Sequence, residues 1–280
     1  MNGVLSTLQY WLVEHPAILH FAWNPGQTLG STPRFVATTV LTYLSLTFLL
    51  SRSRFHPLNP KLLKPITAVH SLVLFVLSLI MAVGCSLSIL LLLLISDPDR
   101  SVICFPIGTQ PSGPLFFWAQ VFYLSKLLEF GDTLLIILGG SVRRLSFLHV
   151  YHHATVVVMC YLWLRTAQSL FPVALVTNAS VHVIMYGYYF LCAVGIRPGW
   201  KRVVTDCQIV QFGFSFAVSG RMLYLHFVGS GCSGILGWCF NAVFNASLLS
   251  LFVNFHANSY KSRNRKDNGD GGHKDKIKGS

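Results

Sequence analysis

Long apolar runs recur along this chain, and they constrain its fold more than any other feature of the sequence. Each is about the length of a helix that crosses a bilayer. Seven runs are predicted to be spans, at residues 35–50, 66–95, 115–139, 147–164, 171–194, 203–228 and 235–257. Hydrophobic residues make up 53% of the 280 residues and charged residues only 11%, unlike an ordinary soluble domain. The predicted fold class is therefore an all-α integral membrane protein, in which seven transmembrane helices form one bundle.

Basic residues predict the orientation of this bundle and divide the chain into three parts. Most of the 21 Lys and Arg residues lie in alternate loops and at the C-terminus, which the positive-inside rule assigns to the cytosol. We expect a lumenal or interfacial N-terminal segment (1–34), a seven-helix membrane domain (35–257) and a disordered basic cytosolic tail (258–280). Because topology explains the net charge of +12, no nucleic-acid partner is expected.

Two of the seven cysteines fall in loops on the predicted non-cytosolic side. If that side is oxidising, Cys104 and Cys232 are the pair expected to form a disulfide between the second and sixth loops. Two free thiols are the alternative. The other cysteines lie within spans and are expected to be ordinary buried small residues; they are Cys85, Cys160, Cys192, Cys207 and Cys239.

Three histidines occupy one helical turn at the start of the fourth span. His149, His152 and His153 have the spacing i, i+3, i+4, so their rings share one sector of the helix surface. Because such side chains are costly inside a membrane, the cluster indicates binding or reaction.

Polar residues on three other spans fall in the same half of the membrane. A rise of 1.5 Å per residue places the histidine turn about 3–9 Å from the cytosolic end of the fourth span. The same rise places the polar residues of the third span about 10–20 Å from the cytosolic end of that span. Helices that agree in this way are expected to line one polar cavity on the cytosolic side. Its other members are Lys126, Glu129 and Asp132 on the third span, Asn178, His182 and Tyr186 on the fifth, and Gln208 and Gln211 on the sixth.

Each of these motifs also has a purely structural interpretation. Lys126 and Glu129 can neutralise each other on one helix face, and the polar residues of the fifth and sixth spans can join helices through hydrogen bonds. For His70 and His256, which stand alone near span ends, the structural interpretation is preferred. Arg221 needs a partner that the sequence does not identify.

The histidine cluster fits two kinds of chemistry. Imidazoles and carboxylates from several helices could bind a metal ion, as in a membrane lipid oxygenase or desaturase. Imidazole can also act as a nucleophile and as a general acid or base. Metal-dependent membrane oxygenases need several histidine boxes and this chain has one, so catalysis without a metal is favoured. A seven-span lipid receptor or transporter that binds without reacting is the remaining alternative.

Four motifs, in order along the chain, resemble those of the ELO family of very-long-chain fatty acid elongases, and the plant branch of that family most. The resemblance covers nearly all seven spans. The motifs are Lys126-Leu-Leu-Glu129-Phe-Gly-Asp132-Thr133, His149-Val-Tyr-His152-His153, Asn178-Ala-Ser-Val181-His182-Val-Ile-Met185-Tyr186, and Thr205-Asp-Cys-Gln208-Ile-Val-Gln211.

The resemblance implies a very-long-chain 3-oxoacyl-CoA synthase, an acyltransferase that condenses acyl-CoA with malonyl-CoA and needs no cofactor. It also implies a multi-pass protein of the endoplasmic reticulum membrane with a cytosolic C-terminus. Implied partners are the lipid bilayer, the ketoreductase, dehydratase and enoyl reductase of the elongation cycle, and a second copy of the chain. The apolar halves of the spans away from the cytosol would enclose an acyl tunnel. Candidate contacts for the anionic CoA head group are Arg143, Arg144, Arg197, Lys201 and Arg202.

The resemblance also allows roles to be assigned to the motif residues. His152 would carry the acyl group, and His149, His182 and Asn178 would stabilise developing oxyanions. The catalytic set is His149, His152, His153 and His182, in which His153 would orient the other rings. The substrate-binding or orienting set comprises Lys126, Glu129, Asp132, Asn178, Tyr186, Gln208 and Gln211.

Overall fold

The computed structural model describes residues 2–53, 56–97 and 99–271, with side chains described as far as residue 257. Helices account for most of these residues, and the described parts contain no β-strand. The α-helices are α1 (Asn2–Gln9), α2 (Pro16–Leu19), α3 (Pro33–Arg52), α4 (Pro60–Ile95), α5 (Pro114–Leu128), α6 (Phe130–Leu138), α7 (Phe147–Arg165), α8 (Phe171–Ala193), α9 (Lys201–Val228) and α10 (Ile235–Gly271).

The long helices begin where the sequence supplies a cap or a proline. Proline occupies the first turn of α3, α4, α5 and α8. A backbone N–H in that turn has no acceptor within the helix, so its absence in proline costs no hydrogen bond. The Ser146 hydroxyl accepts a hydrogen bond from the backbone N–H of His149 at 3.2 Å and so caps α7. This cap fixes the start of the helix that carries the histidine turn.

Four of the described helices are long and apolar enough to cross a membrane: α3, α4, α7 and the part of α10 from Ile235 to Ala257. The predicted third span is divided at Glu129 into α5 and α6, each too short for this assignment. Polar residues lower the hydropathy of α8 and α9, which coincide with the predicted fifth and sixth spans. The chain is thus an all-helical protein with several candidate membrane spans, and the count of seven stays a prediction.

One aromatic core holds the bundle together. α4 makes its most extensive contact with α8, α5 packs against α4 and α7, and α10 packs against both α7 and α9. At the centre of this core, the buried rings of Phe122 on α5 and Trp163 on α7 stack with their centroids 5.5 Å apart. Phe171 at the start of α8 packs on Trp163 at 6.0 Å. The arrangement fixes α5, α7 and α8 next to one another.

At the end of the bundle opposite the histidine turn, two links join distant parts of the chain. Cys104 and Cys232 form a disulfide, which is the pairing that the loop positions predict. The Arg221 guanidinium contacts the Asp99 carboxylate, with Nη2 and Oδ2 at 2.5 Å. Asp99 is therefore the partner that the sequence did not identify.

The expectation that all five remaining cysteines are buried is only partly correct. Cys85 and Cys160 are buried, and Cys192 and Cys207 are half-buried. Cys239 is exposed, because α10 turns a different face toward α7 and α9. At the C-terminus, α10 extends to Gly271 through part of the predicted disordered tail, and residues 272–280 lie outside the described residues.

Candidate functional site

A buried ion pair lies at the centre of the candidate site, where α5 meets α6. The Lys126 ammonium donates to Glu129 Oε1 at 2.7 Å, and both side chains are almost completely buried. Nδ1 of His182, on α8, lies 3.2 Å from the same carboxylate oxygen. Lys126 also contacts Asn178 Oδ1 at 3.5 Å and lies over the Phe122 ring at 4.1 Å. Buried charges need such partners, so these contacts hold α5, α6 and α8 in register.

The histidine turn lies beside this ion pair. The ring centroid of His153 lies 4.4 Å from that of His149 and 5.3 Å from that of His152. His149 Nε2 is 2.8 Å from the Thr133 hydroxyl, which in turn lies 3.0 Å from the Tyr43 hydroxyl on α3. The chain of hydroxyls therefore fixes the orientation of the His149 ring.

His152 connects the ion pair to a cavity. One nitrogen of its ring, one nitrogen of His182 and a carboxylate oxygen of Glu129 all lie within 4.8 Å of one another. The ring of Phe244, on α10, is nearly parallel to that of His152, with centroids 6.3 Å apart. His152 Nδ1 is buried and has no hydrogen-bond partner among the described residues. An imidazole in this position can react with a group held in the cavity.

The cavity has a volume of about 50 Å³ and lies between α7, α8, α9 and α10. Its lining extends from His152 along α7 to Trp163, away from the predicted cytosolic end. Apolar side chains alternate with polar ones, so the lining is not the almost wholly apolar surface that the sequence predicts for an acyl tunnel. The polar side chains other than His152 are Thr177, Asn178, Gln211, Ser215, Asn241 and Asn245.

A second polar cluster surrounds Asp132 on α6. Tyr186 donates its hydroxyl hydrogen to Asp132 Oδ2 at 2.7 Å, and His70 Nε2 on α4 lies 3.0 Å from Oδ1. The Tyr186 ring packs edge to face against His182, with centroids 5.5 Å apart, and so links the two clusters. His70 was predicted to be merely structural. In the predicted second span, 66–95, His70 lies about 6 Å from the cytosolic end, in the same half of the membrane as Asp132 at about 10 Å. This shared half is the signal that could have identified it.

Comparison with known proteins agrees with the motifs. The model of the family described as ELO: GNS1/SUR4 matches residues 28–268. The chain belongs to the ELO family.

Curated relatives match over much of their length. A protein of Arabidopsis thaliana named fatty acid elongase 3-like is 32% identical over an alignment of 280 positions, which covers 94% of this chain and 96% of the relative. Fatty acid elongase A of Dictyostelium discoideum is 34% identical over 69% of this chain and 71% of its own length. Very long chain fatty acid elongase 5 of the mouse is 34% identical over 56% of this chain and 51% of its own length.

The motif residues of this ELO protein converge to different degrees. Residues of the first three motifs meet around Glu129 and Asp132. Gln211 of the fourth motif lines the cavity, whereas Gln208 contacts Met185 Sδ at 3.6 Å. The five basic residues proposed for the CoA head group are exposed and lie in the loops before α7 and α9 or at the start of α9. One of them, Arg202, pairs with Asp206 at 3.6 Å.

His256, like His70, contacts a carboxylate that the sequence did not suggest. Its Nε2 lies 3.0 Å from Asp206 Oδ1 and links the predicted cytosolic ends of α10 and α9. The contact lies in another part of the bundle from the Lys126–Glu129 pair, so the structural interpretation of His256 is retained.

Within the part of the chain that the structure describes, Glu129, His152 and His182 are also the group that could hold a metal ion. The Lys126 ammonium, 2.7 Å from Glu129 Oε1, already neutralises the carboxylate and would repel a cation. The donor set therefore fits a metal poorly and fits acid–base chemistry better.

Proposed function

We propose that this ELO protein is a condensing enzyme of fatty acid elongation. It joins a long-chain acyl-CoA with malonyl-CoA to give a 3-oxoacyl-CoA two carbons longer, CO2 and CoA. The observation that supports this most directly is the position of the His152 ring, between the Lys126–Glu129–His182 cluster and the cavity. In this proposal α3, α4, α5 with α6, α7, α8, α9 and α10 make seven spans around the site.

The first half-reaction acylates the enzyme. A nitrogen of His152 attacks the thioester carbonyl, the C–S bond breaks, and the CoA thiolate takes the proton that the imidazole loses. The product is an acyl-imidazole, which keeps the acyl group activated. The ammonium of Lys126 and the amide of Asn178, 3.5 Å apart, provide donors for the oxyanion that forms on the carbonyl.

The second half-reaction forms the new carbon–carbon bond. Malonyl-CoA loses CO2, the resulting enolate attacks the acyl carbon, and the C–N bond to His152 breaks. The departing imidazolate takes up one proton, which comes from solvent through His182. In this proposal His182 carries its proton on Nδ1, which lies 3.2 Å from Glu129 Oε1, so its Nε2 lone pair accepts the solvent proton and passes it to His152. Once protonated, His182 donates to the oxyanion, while Thr133 orients His149 for the same task. His153, Asp132 and Tyr186 position these rings.

The surroundings of the site complete the proposal. Arg143, Arg144, Arg197, Lys201 and Arg202 would hold the CoA head group at the predicted cytosolic mouth. The reaction uses side chains alone, with no resident metal or cofactor. The enzyme would work in the endoplasmic reticulum membrane, with its C-terminus in the cytosol, beside the ketoreductase, dehydratase and enoyl reductase that process its product. Self-association into a homo-oligomer is part of the same proposal.

Incubation with acyl-CoA alone tests the acyl-enzyme. We expect release of CoA and an acyl mass on the peptide that contains His152, both abolished by His152→Gln. His256→Gln is the matched control, because His256 lies on α10 away from the ion pair and should leave the adduct unchanged. An adduct that persists in His152→Gln would show that another residue is the nucleophile.

Labelled malonyl-CoA separates this function from the two alternatives. Only a condensing enzyme releases labelled CO2 when both substrates are present. A lipid receptor or transporter would bind acyl-CoA and release none. Stoichiometric iron or zinc in the purified protein, together with absent CO2 release, would instead support the oxygenase assignment of the Glu129–His152–His182 group.

A further inference from the structure

Three residues that line the cavity beside His152 each carry a buried polar atom with no hydrogen-bond partner among the described residues. Asn241 is 6% exposed, and its Oδ1 is buried with no hydrogen-bond partner among the described residues. The same holds for Gln211 Oε1 and for Nε1 of Trp163, and both residues line the same cavity. A methylene chain packed against these groups would leave each of them desolvated and unpaired.

The unsatisfied groups include both kinds of hydrogen-bonding partner. Two are amide oxygens, which accept, and one is an indole N–H, which only donates. A hydroxyl both donates and accepts, so it can pair with either kind of group. A keto or ether oxygen could only accept.

The position of Asn241 identifies which part of the substrate it meets. Phe244 faces the His152 ring, and Asn241 precedes it by three residues on α10. Since α10 begins at the end of the bundle that carries the disulfide, Asn241 lies about 4–5 Å beyond Phe244 toward that end. The proposed CoA contacts lie at the opposite end. Asn241 therefore faces the acyl chain rather than the CoA portion, close to the reacting carbonyl.

We propose that the cavity selects acyl chains that carry a hydroxyl within the first few carbons of the thioester, with Asn241 as the residue that recognises it. This inference rests on the proposed condensing function and names a substrate class for it. Gln211 and Trp163 supply the remaining polar contacts. Asn241 is a specificity residue and takes no part in the bond-forming steps.

Substrate competition tests the proposal. The probes are stearoyl-CoA and three derivatives hydroxylated at carbon 3, at carbon 5 or at the terminal carbon, each with malonyl-CoA. For the unmodified protein we expect kcat/KM to be about tenfold higher for the carbon-3 or carbon-5 derivative than for stearoyl-CoA, since pairing a buried polar group is worth about a factor of ten. The terminal hydroxyl lies too far from Asn241 to give this gain.

Asn241→Leu should remove the preference by raising kcat/KM for stearoyl-CoA and lowering it for the hydroxylated substrate. Val243→Leu, on the exposed outer face of α10, is the matched control and should leave the ratio unchanged. If Asn241→Leu fails to fold, the comparison of the four substrates with the unmodified protein still decides the matter.

The outcomes separate this proposal from the function on which it rests. No condensation with any of the four substrates would overturn the proposed function and the inference with it. Condensation of stearoyl-CoA as fast as of the hydroxylated substrates would overturn the inference alone, because the amides would then be satisfied by water. A preference for the terminal hydroxyl would overturn the placement of the recognition group at Asn241.

Discussion

Removing one partner of the Lys126–Glu129 pair should destabilise the protein far more than removing both. The side chains are 1% and 2% exposed, with 2.7 Å between Nζ and Oε1, so solvent screens this pair very little. Either Lys126→Met or Glu129→Gln leaves a buried group without its main partner, and we expect a loss of about 3–5 kcal/mol in the free energy of unfolding. For a chain of this size that corresponds to a melting temperature lower by about 6–20 °C.

The double variant Lys126→Met/Glu129→Gln should lose less stability than either single variant, because it leaves no uncompensated charge. Thermal unfolding in detergent can be followed with a fluorogenic thiol dye, since Cys85 and Cys160 are fully buried and react only on unfolding. Exposed Cys239 gives the baseline of the folded protein. Additive losses in the double variant would refute the pairing as the source of stability, and so would single variants that melt within 2 °C of the parent.

Two further predictions use the same unfolding assay. A Cβ added at Gly84 would collide with the Trp118 indole, so Gly84→Ala should lower the free energy of unfolding by about 1–3 kcal/mol. A Cβ added at Gly187 would lie 3.4 Å from the Phe75 ring, an ordinary contact, so Gly187→Ala should be close to neutral. Equal melting temperatures for the two variants would contradict the close packing of α4 on α5. Cys104→Ser removes the disulfide to Cys232 and should lower the free energy of unfolding by about 2–4 kcal/mol. Free thiols at both positions in non-reduced peptides of the parent protein would show that the disulfide does not form.

Much of the arrangement of the candidate site follows from the depth of each residue along its helix, and depth can be counted from the sequence. The predicted span at 147–164 coincides with α7, Phe147–Arg165, because a serine cap and an apolar run mark its limits. Counting residues from the predicted cytosolic ends placed His182 and Glu129 in the same half of the bundle, and the structure brings them to 3.2 Å. The run predicted as the third span, 115–139, consists of α5 and α6 with Glu129 between them, and its assignment as one span stays a prediction.

The sequence does not determine the rotation of each helix about its axis, and this rotation decides which neighbours a side chain meets. His70 and Asn241 are two examples. Both lie in apolar runs whose neighbours along the chain are apolar, so each looks isolated on its own helix. Their environment comes from other helices: His70 reaches Asp132 across the small residue Gly131, and Asn241 faces the cavity between α7, α8 and α9. A polar side chain within a predicted span is therefore better judged against polar groups at the same depth on every other span than against its sequence neighbours.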